Sequence, residues 1–175
     1  MELRDALSFV RDIPDFPQSG ILFKDITPLL AQPEAFALVT QELAGKSDRY
    51  TKVVGIEARG FILGAAIASH TAHGFIPFRK AGKLPHTTIS RSYGLEYGVD
   101  TIEAHIDALN SEDSVLIVDD VLATGGTLLA AIELVKELGA TISEVVVLYE
   151  ISFLNGRDRI LDKYPDISIR TVVAE

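Results

Sequence analysis

The chain has 175 residues, 47% of them hydrophobic, and a formal net charge of −9 at pH 7. Such a length and apolar content suffice for one domain with a buried core, whereas the acidic balance argues against nucleic-acid binding, which needs clustered lysine and arginine. Cysteine is absent, which removes disulfides and thiolate catalysis; no apolar run approaches the roughly 18 residues of a membrane span, and the charged N-terminal stretch does not read as a secretory signal, so a cytoplasmic protein free of membrane is expected.

Leu3, Ala6, Leu7 and Val10 recur at helical spacing and stop before Pro14, predicting a short amphipathic helix. Pro14, Pro17, Gly20 and Pro28 then bracket Ile21 to Ile26, an extended apolar piece that the prolines keep from becoming helical. Pro33 suits the first turn of a helix with Phe36, Val39 and Leu43 on one side. From Lys52 the pattern changes to short apolar runs alternating with helical segments, the signature of a parallel sheet covered by helices. Strands are predicted near 52–56, 75–78, 115–118, 144–149 and 167–173, and helices near 61–71, 127–138 and 157–164. Gly139 stands where a left-handed helix cap is wanted, and Pro165 follows the last helix. No repeat or linker divides residues 1–175, so a single domain is expected. Residues 82–105 resist the scheme: they are mostly polar and long for a connection, although Thr87, Ile89, Tyr93, Leu95 and Tyr97 alternate like a hairpin. A lid over a site is the expected role of such a segment.

The chemistry concentrates after the strand Val115–Val118, which ends in Asp119-Asp120, runs through Val121-Leu122-Ala123 and closes with Thr124-Gly125-Gly126-Thr127 before a helix. Ligands of open parallel sheets bind beyond the carboxyl ends of strands. Two carboxylates there can accept hydrogen bonds from neighbouring hydroxyls, as in a ribose diol. The Thr-Gly-Gly-Thr turn brings backbone N–H groups, two hydroxyls and a helix N-terminus together as a phosphate cradle, with the glycines allowing close approach. Acid pair and cradle in this order point to a ribose 5-phosphate site. Competing phosphate motifs are missing: Gly55 to Gly60 has the spacing of a P-loop but continues with Phe61 instead of lysine. His70, His73, His86 and His105 make no zinc pattern.

The stretch 115–127 resembles the phosphoribosyl pyrophosphate signature of the type I phosphoribosyltransferases. Phe16-Pro17, Gly20 to Ile26, Gly55 to Phe61, Arg79 to Pro85 and Leu95 to Gly98 resemble, in order, motifs of the adenine phosphoribosyltransferase family. The resemblance implies an α/β parallel-sheet core flanked by helices, a small N-terminal hood at about 1–30 and a long flexible lid loop at about 82–105. It implies formation of AMP and pyrophosphate from adenine and phosphoribosyl pyrophosphate in purine salvage, by a homodimer. Asp119, Asp120, Ala123, Thr124, Gly125, Gly126 and Thr127 would hold the ribose 5-phosphate of substrate or AMP. Glu57, Ala58, Arg59, Arg79, Lys80 and Lys83 would bind pyrophosphate, with Arg59 the charged donor at the reacting end. Glu96 in the lid would sit near N7 of adenine and move a proton, while the main chain of Leu22, Phe23 and Lys24 would read the base, clamped by Phe23 and Ile151. Mg2+ would enter through pyrophosphate, ribose hydroxyls and water, with no direct protein ligand.

Three alternatives remain open on the residues alone. An enzyme of the same fold acting on guanine, hypoxanthine, xanthine or orotate would share the 119–127 signature. A non-catalytic sensor of phosphoribosyl pyrophosphate that contacts nucleic acid is disfavoured by the net charge. A receiver-like signalling domain also places Asp-Asp after an apolar strand, but has no use for the cradle.

Overall fold

The alternation read from Lys52 onward becomes a seven-stranded sheet in the computed structural model, which describes residues 1–16, 18–95 and 98–175. The chain divides into two units, Met1–Gly45 and Lys46–Glu175.

In the first unit, helix α1 (Leu3–Leu7) is followed by strands β1 (Arg11–Pro14) and β2 (Leu22–Asp25), then helices α2 (Thr27–Leu30) and α3 (Pro33–Ala44). The extended piece expected between the prolines is thus a strand, paired antiparallel with β1 so that Ile13 faces Phe23 and Pro14 faces Leu22. Pro14 is tolerated because it stands at the end of its strand, where a missing N–H costs least. Ala6, Leu29, Ala35, Val39 and Leu43 are fully buried, and α1 packs on α3.

In the second unit the order is β3 (Lys52–Ile56), α4 (Arg59–Thr71), β4 (Gly74–Lys80), β5 (Thr88–Leu95), β6 (Gly98–His105), β7 (Ser114–Leu122), α5 (Gly126–Glu137), β8 (Thr141–Glu150), α6 (Gly156–Lys163) and β9 (Ile169–Ala174). Spatially the sheet runs β5-β6-β4-β3-β7-β8-β9, with β4, β3, β7, β8 and β9 mutually parallel. The polar segment 82–105 differs from an open loop. Ile89, Tyr93 and Leu95 of its alternation fall in β5, which pairs antiparallel with β6 in register from Thr88 opposite His105 to Leu95 opposite Gly98, and β6 continues the sheet beside β4; Tyr97 lies outside the described residues.

Period-two alternation sorts the central strands between two faces. Val54, Ile56, Val115, Ile117, Val145 and Val147 share one core with Leu128, Ile132 and Val135 of α5. The intervening Val53, Leu116, Val118, Val146 and Leu148 are equally buried, and α4 packs on β3 and β7. The connection leaving β3 runs to β4 on one side, and the one leaving β7 runs to β8 on the other. A crevice therefore opens between the carboxyl ends of β3 and β7, the switch point where α/β sheets bind ligands. β7 pairs with β3 only as far as Val118 but with β8 as far as Leu122, so Asp119 and Asp120 lie within a strand that outruns its neighbour.

Helix α4 reaches this edge because glycine lets backbones touch. A Cβ on Gly55 would stand 2.7 Å from the Gly60 carbonyl oxygen and from the Phe75 ring. Gly55→Ala should accordingly cost about 1–3 kcal/mol through overpacking, seen as a lower urea midpoint at unchanged slope. Gly74→Ala, whose Cβ would meet only the flexible Lys52 stem at 3.4 Å, should stay within about 0.5 kcal/mol of the parent. Equal losses at the two positions would contradict the backbone contact.

Candidate functional site

Two helix N-termini flank the switch point. α4 begins one residue after Ala58, and α5 begins at Gly126 with Gly125 as its cap at φ +78°. The opening N–H groups of a helix have no acceptor inside it and sit at the positive end of its dipole, so each start is suited to an anion. Between them in sequence and topology lies the acid pair of β7. Asp119 and Asp120 are both buried, and the Asp120 N–H donates to Asp119 Oδ1 at 2.9 Å. Burial and the like charge of Asp120 push the Asp119 carboxyl well above the ordinary carboxylate range; the Asp120 N–H and Arg59 pull it down, but by less. Arg59, the first residue of α4, sets its Nη2 2.8 Å from Asp120 Oδ2, joining one helix start to the acid pair.

The peptide Glu57–Ala58 is cis. Beyond it, the Glu57 carboxylate gathers the cationic segment at the end of β4: Lys83 Nζ at 2.6 Å, the Lys80 N–H at 3.0 Å and Arg79 Nε at 3.4 Å. Burial raises the Glu57 carboxyl, but the donors from Lys83 and Lys80, with the positive charge of Arg79 beside them, outweigh it and hold it below the ordinary value. Arg79 Nε is not aligned for a hydrogen bond to Glu57, so a buried donor is left over, while Arg79 Nη1 donates to the Lys83 carbonyl at 3.1 Å. Lys80 Nζ lies 2.5 Å from Asp100 Oδ2, and that hydrogen bond raises the lysine. Four cations expected to meet an anionic ligand, Arg59, Arg79, Lys80 and Lys83, thus stand beside carboxylates at the crevice.

Sequence reasoning placed these residues but not their organisers. Glu57 is expected among the pyrophosphate ligands, and in the structure its carboxylate accepts from Lys80 and Lys83 and pairs with Arg79. Asp100 carries no motif; its signal is positional, since it faces Tyr93 across the hairpin and Tyr93 donates to its Oδ2 at 3.2 Å. The glycine at 125 was read as making room for a ligand, yet a Cβ there would stand 2.6 Å from the Gly156 carbonyl oxygen, so the close approach is made by α6. Ala123 also lies at this contact, its oxygen 2.1 Å from where a Cβ on Gly156 would be. Thr124 accepts at its carbonyl from Arg159 Nη1 at 3.3 Å, and Thr127 lies in the first turn of α5.

Leu22, Phe23 and Lys24 occupy β2 of the first unit, where Phe23 meets Phe16 edge-on at 5.1 Å and Lys24 Nζ pairs with Asp12 at 2.9 Å. Ile151 belongs to the second unit, directly after β8, with its N–H donating to Leu122 O at 2.9 Å. Glu96 lies outside the described residues. Among the described residues no three His, Cys, Asp or Glu side chains gather as a cation cage, and no helix is long and apolar enough to cross a membrane.

A phosphoribosyl transferase domain matches residues 26–174. The adenine phosphoribosyltransferase of Streptomyces clavuligerus is 56% identical over 156 residues, covering 88% of each chain. Crystal structures agree: an APRTase of Giardia lamblia complexed with 9-deazaadenine superposes with TM-score 0.92 at 44% identity, over 100% of this chain and 98% of that one. An adenine phosphoribosyl transferase of Trypanosoma brucei, in complex with AMP, pyrophosphate and ribose-5-phosphate, superposes with TM-score 0.87 at 26% identity, over 99% of this chain and 79% of that one.

The raised Asp119 carboxyl has a thermodynamic consequence. Between the ordinary carboxylate value near ~4 and the higher native value, the folded state holds more protons than the unfolded one. Unfolding free energy from this group therefore falls as pH rises through that window. Asp119→Asn should remove the slope, so the variant's melting temperature should match the parent's near pH 4 and rise above it as the pH increases from there, each kcal/mol appearing as about 2–4 °C. Parallel melting curves across this range would show that Asp119 costs the fold nothing.

Proposed function

The chain belongs to the phosphoribosyl transferase domain family, among its adenine phosphoribosyltransferases, and we propose how its residues join adenine to the ribose 5-phosphate of phosphoribosyl pyrophosphate. The products are AMP and pyrophosphate, as purine salvage requires. The observation that carries the reading is the arrangement around β7: a buried acid pair followed by one helix start and paired through Arg59 with another.

One molecule matches both anion sites and the acids between them. The 5-phosphate takes the N–H groups and hydroxyls of Thr124 to Thr127 at the start of α5. The 2- and 3-hydroxyls donate to Asp119 and Asp120. The pyrophosphate takes the start of α4, the loop at Glu57 and Ala58, and the donors of Arg59, Arg79, Lys80 and Lys83. Arg79 supports this role, having a buried Nε with no hydrogen bond. As the ribose hydroxyls reach Asp120, Arg59 exchanges the carboxylate for a phosphate oxygen, so charge is transferred between partners without being left bare.

The reaction forms a bond from N9 of adenine to C1 of the ribose and breaks the bond from C1 to the pyrophosphate oxygen. Positive charge grows on the ribose and negative charge on the leaving group, and prepositioned donors stabilise the latter. The purine loses one proton, which by resemblance passes near N7 to Glu96. Adenine presents a donor at its 6-amino group and an acceptor at N1, and an extended backbone such as Leu22–Lys24 carries both complements. The magnesium ion is proposed as a companion of the pyrophosphate, which it would partly neutralise; the acid pair suits it through water and ribose hydroxyls. The same resemblance supports a cytoplasmic homodimer.

Purified protein supplied with Mg2+ and phosphoribosyl pyrophosphate should convert adenine to AMP, and removal of Mg2+ by a chelator should abolish turnover. Hypoxanthine and guanine should be poorer by a factor on the order of 10⁴ in kcat/KM, because they leave buried groups unpaired. Use of either within about tenfold of adenine would overturn the base assignment while leaving phosphoribosyl transfer intact. Separately, Glu96→Gln should keep the circular dichroism spectrum and lower kcat by roughly 10²- to 10⁴-fold. A variant as fast as its parent would remove Glu96 from the mechanism.

A further inference from the structure

The loop assigned to the 5-phosphate, residues 123–127, contains no charged residue. Its shape is held from outside. α6 starts at Gly156, after Asn155 turns the chain with φ +54°. The backbone of Gly156 lies against that loop so closely that a Cβ there would stand 2.1 Å from Ala123 O and 2.8 Å from the Gly125 nitrogen. Reciprocally, a Cβ on Gly125 would strike the Gly156 carbonyl at 2.6 Å.

The next residue locks this turn to the sheet. Arg157 donates from Nε and Nη2 to the two oxygens of buried Glu150 at 2.9 and 2.5 Å. It also donates from Nη1 to Ile169 O and from Nη2 to Thr171 Oγ1, both at 2.9 Å. Thr171 Oγ1 donates in turn to Glu150 Oε2 at 2.8 Å. The carboxylate is thus fully engaged at the end of β8, and α6 cannot slide along the sheet edge without leaving a buried charge unpaired.

Arg159 adds the third element, its Nη1 donating to Thr124 O at 3.3 Å. The C=O of Thr124 and the N–H of Gly125 belong to one planar peptide and point in opposite directions, so holding the oxygen fixes where the N–H is aimed. Arg159 Nη1 also lies 3.7 Å from where a Cβ on Gly126 would project, bringing positive charge to the first turn of α5.

We propose that the first turn of α6 is part of the 5-phosphate site: Gly156 and Arg157 set the shape of the loop, and Arg159 aims its peptide and supplies a positive charge. This rests on the reading of residues 123–127 as the phosphate cradle. Gly156 and Arg157 are positioning residues, and their effect is on the monophosphate end of the substrate, leaving the pyrophosphate end at α4 untouched.

The discriminating experiment measures, by calorimetry at 15 °C, the affinities of the full chain for AMP and for inorganic pyrophosphate with Mg2+, together with the melting temperature. Arg159→Met should weaken AMP by about tenfold, the value of one charge-assisted hydrogen bond, with pyrophosphate affinity and melting temperature unchanged. Gly156→Ala and Arg157→Lys should lower the melting temperature and weaken AMP by at least as much, again sparing pyrophosphate. Lys163→Met, on the same helix as Arg159 but breaking only an exposed pair with Glu133 of α5, should change neither affinity. A purely structural turn would move only the melting temperatures. AMP affinity within about twofold of the parent in Arg159→Met and Arg157→Lys, or equal loss of both ligands, overturns the proposal, and these two variants decide it if Gly156→Ala does not fold. A parent chain that binds pyrophosphate but not AMP would instead sink the cradle reading beneath it.

Discussion

Everything at the carboxyl edge of the sheet depends on backbone touching backbone. A Cβ on Gly60 would stand 2.8 Å from Val118 O and 3.0 Å from Asp119 Oδ1, so the start of α4 rests directly on the end of β7. With any side chain at that point the helix would stand off by the width of a methyl group or more. Arg59 would then no longer meet Asp120 at 2.8 Å. On the far side of β7, Gly156 and Gly125 make the matching contact between α6 and the loop that opens α5. Two helix starts are thereby drawn to one strand, and the dipole of each falls off within its first turn, so closeness of this kind is what makes them useful to an anion.

Electrostatics then explains how an acidic chain can hold an anionic substrate. The net charge of −9 describes the whole chain, but the crevice is lined by cations whose counter-charges are supplied locally. Glu57 holds Lys83, Asp100 holds Lys80 and Asp120 holds Arg59. Each carboxylate keeps a long, entropically costly side chain near the position where a phosphate oxygen is needed. The cost is competition, because a ligand must displace a carboxylate to gain the cation. In the proposed binding mode Asp120 escapes that cost, since the diol of the same ligand would replace what Arg59 gives up. Asp119 differs again. It is buried beside a like charge, and its raised carboxyl is a local expense tolerated at a site where hydroxyls are to be received.

How much of this could be read from the sequence follows from the range of each interaction. Strand 52–56 was expected with the bounds that the structure gives, and the other central strands differ only by extensions at their ends, because buried parallel strands announce themselves by apolar content alone. Gly139, at φ +87°, caps α5 as its position implied. The arrangement of strand, acids, turn and helix start was legible because its parts are contiguous: acids, turn glycines and helix start follow one another within thirteen residues, 115–127. The strands β5 and β6 were half legible. Their alternation was visible, but polarity on both sides concealed that β6 joins β4 and so belongs to the main sheet. What could not be read were contacts between distant residues without unusual composition. Asp100 lies 20 residues from Lys80, and Gly125 lies 31 residues before Gly156 in a segment that carries no phosphate motif. Such pairs are set by register and by helix docking, which sequence periodicity does not encode.

The hairpin shows what those distant contacts accomplish together. Lys80 is held by Asp100, Asp100 accepts from the Tyr93 hydroxyl, and the Tyr93 ring lies 3.4 Å from where a Cβ on Gly126, the first residue of α5, would stand. Burial raises the Tyr93 phenol, so it remains neutral and able to donate. The Gly94 carbonyl meanwhile lies 3.1 Å from where a Cβ on Gly126 would stand, pressing β5 onto the same helix start. A chain of contacts thus runs from the cationic end of β4, through the β5–β6 pair, to the start of α5. Strands added to the edge of the sheet therefore act as a strut between the cationic end of β4 and the start of α5, and the segment least like a parallel α/β core in composition is the one that links the two proposed anion sites.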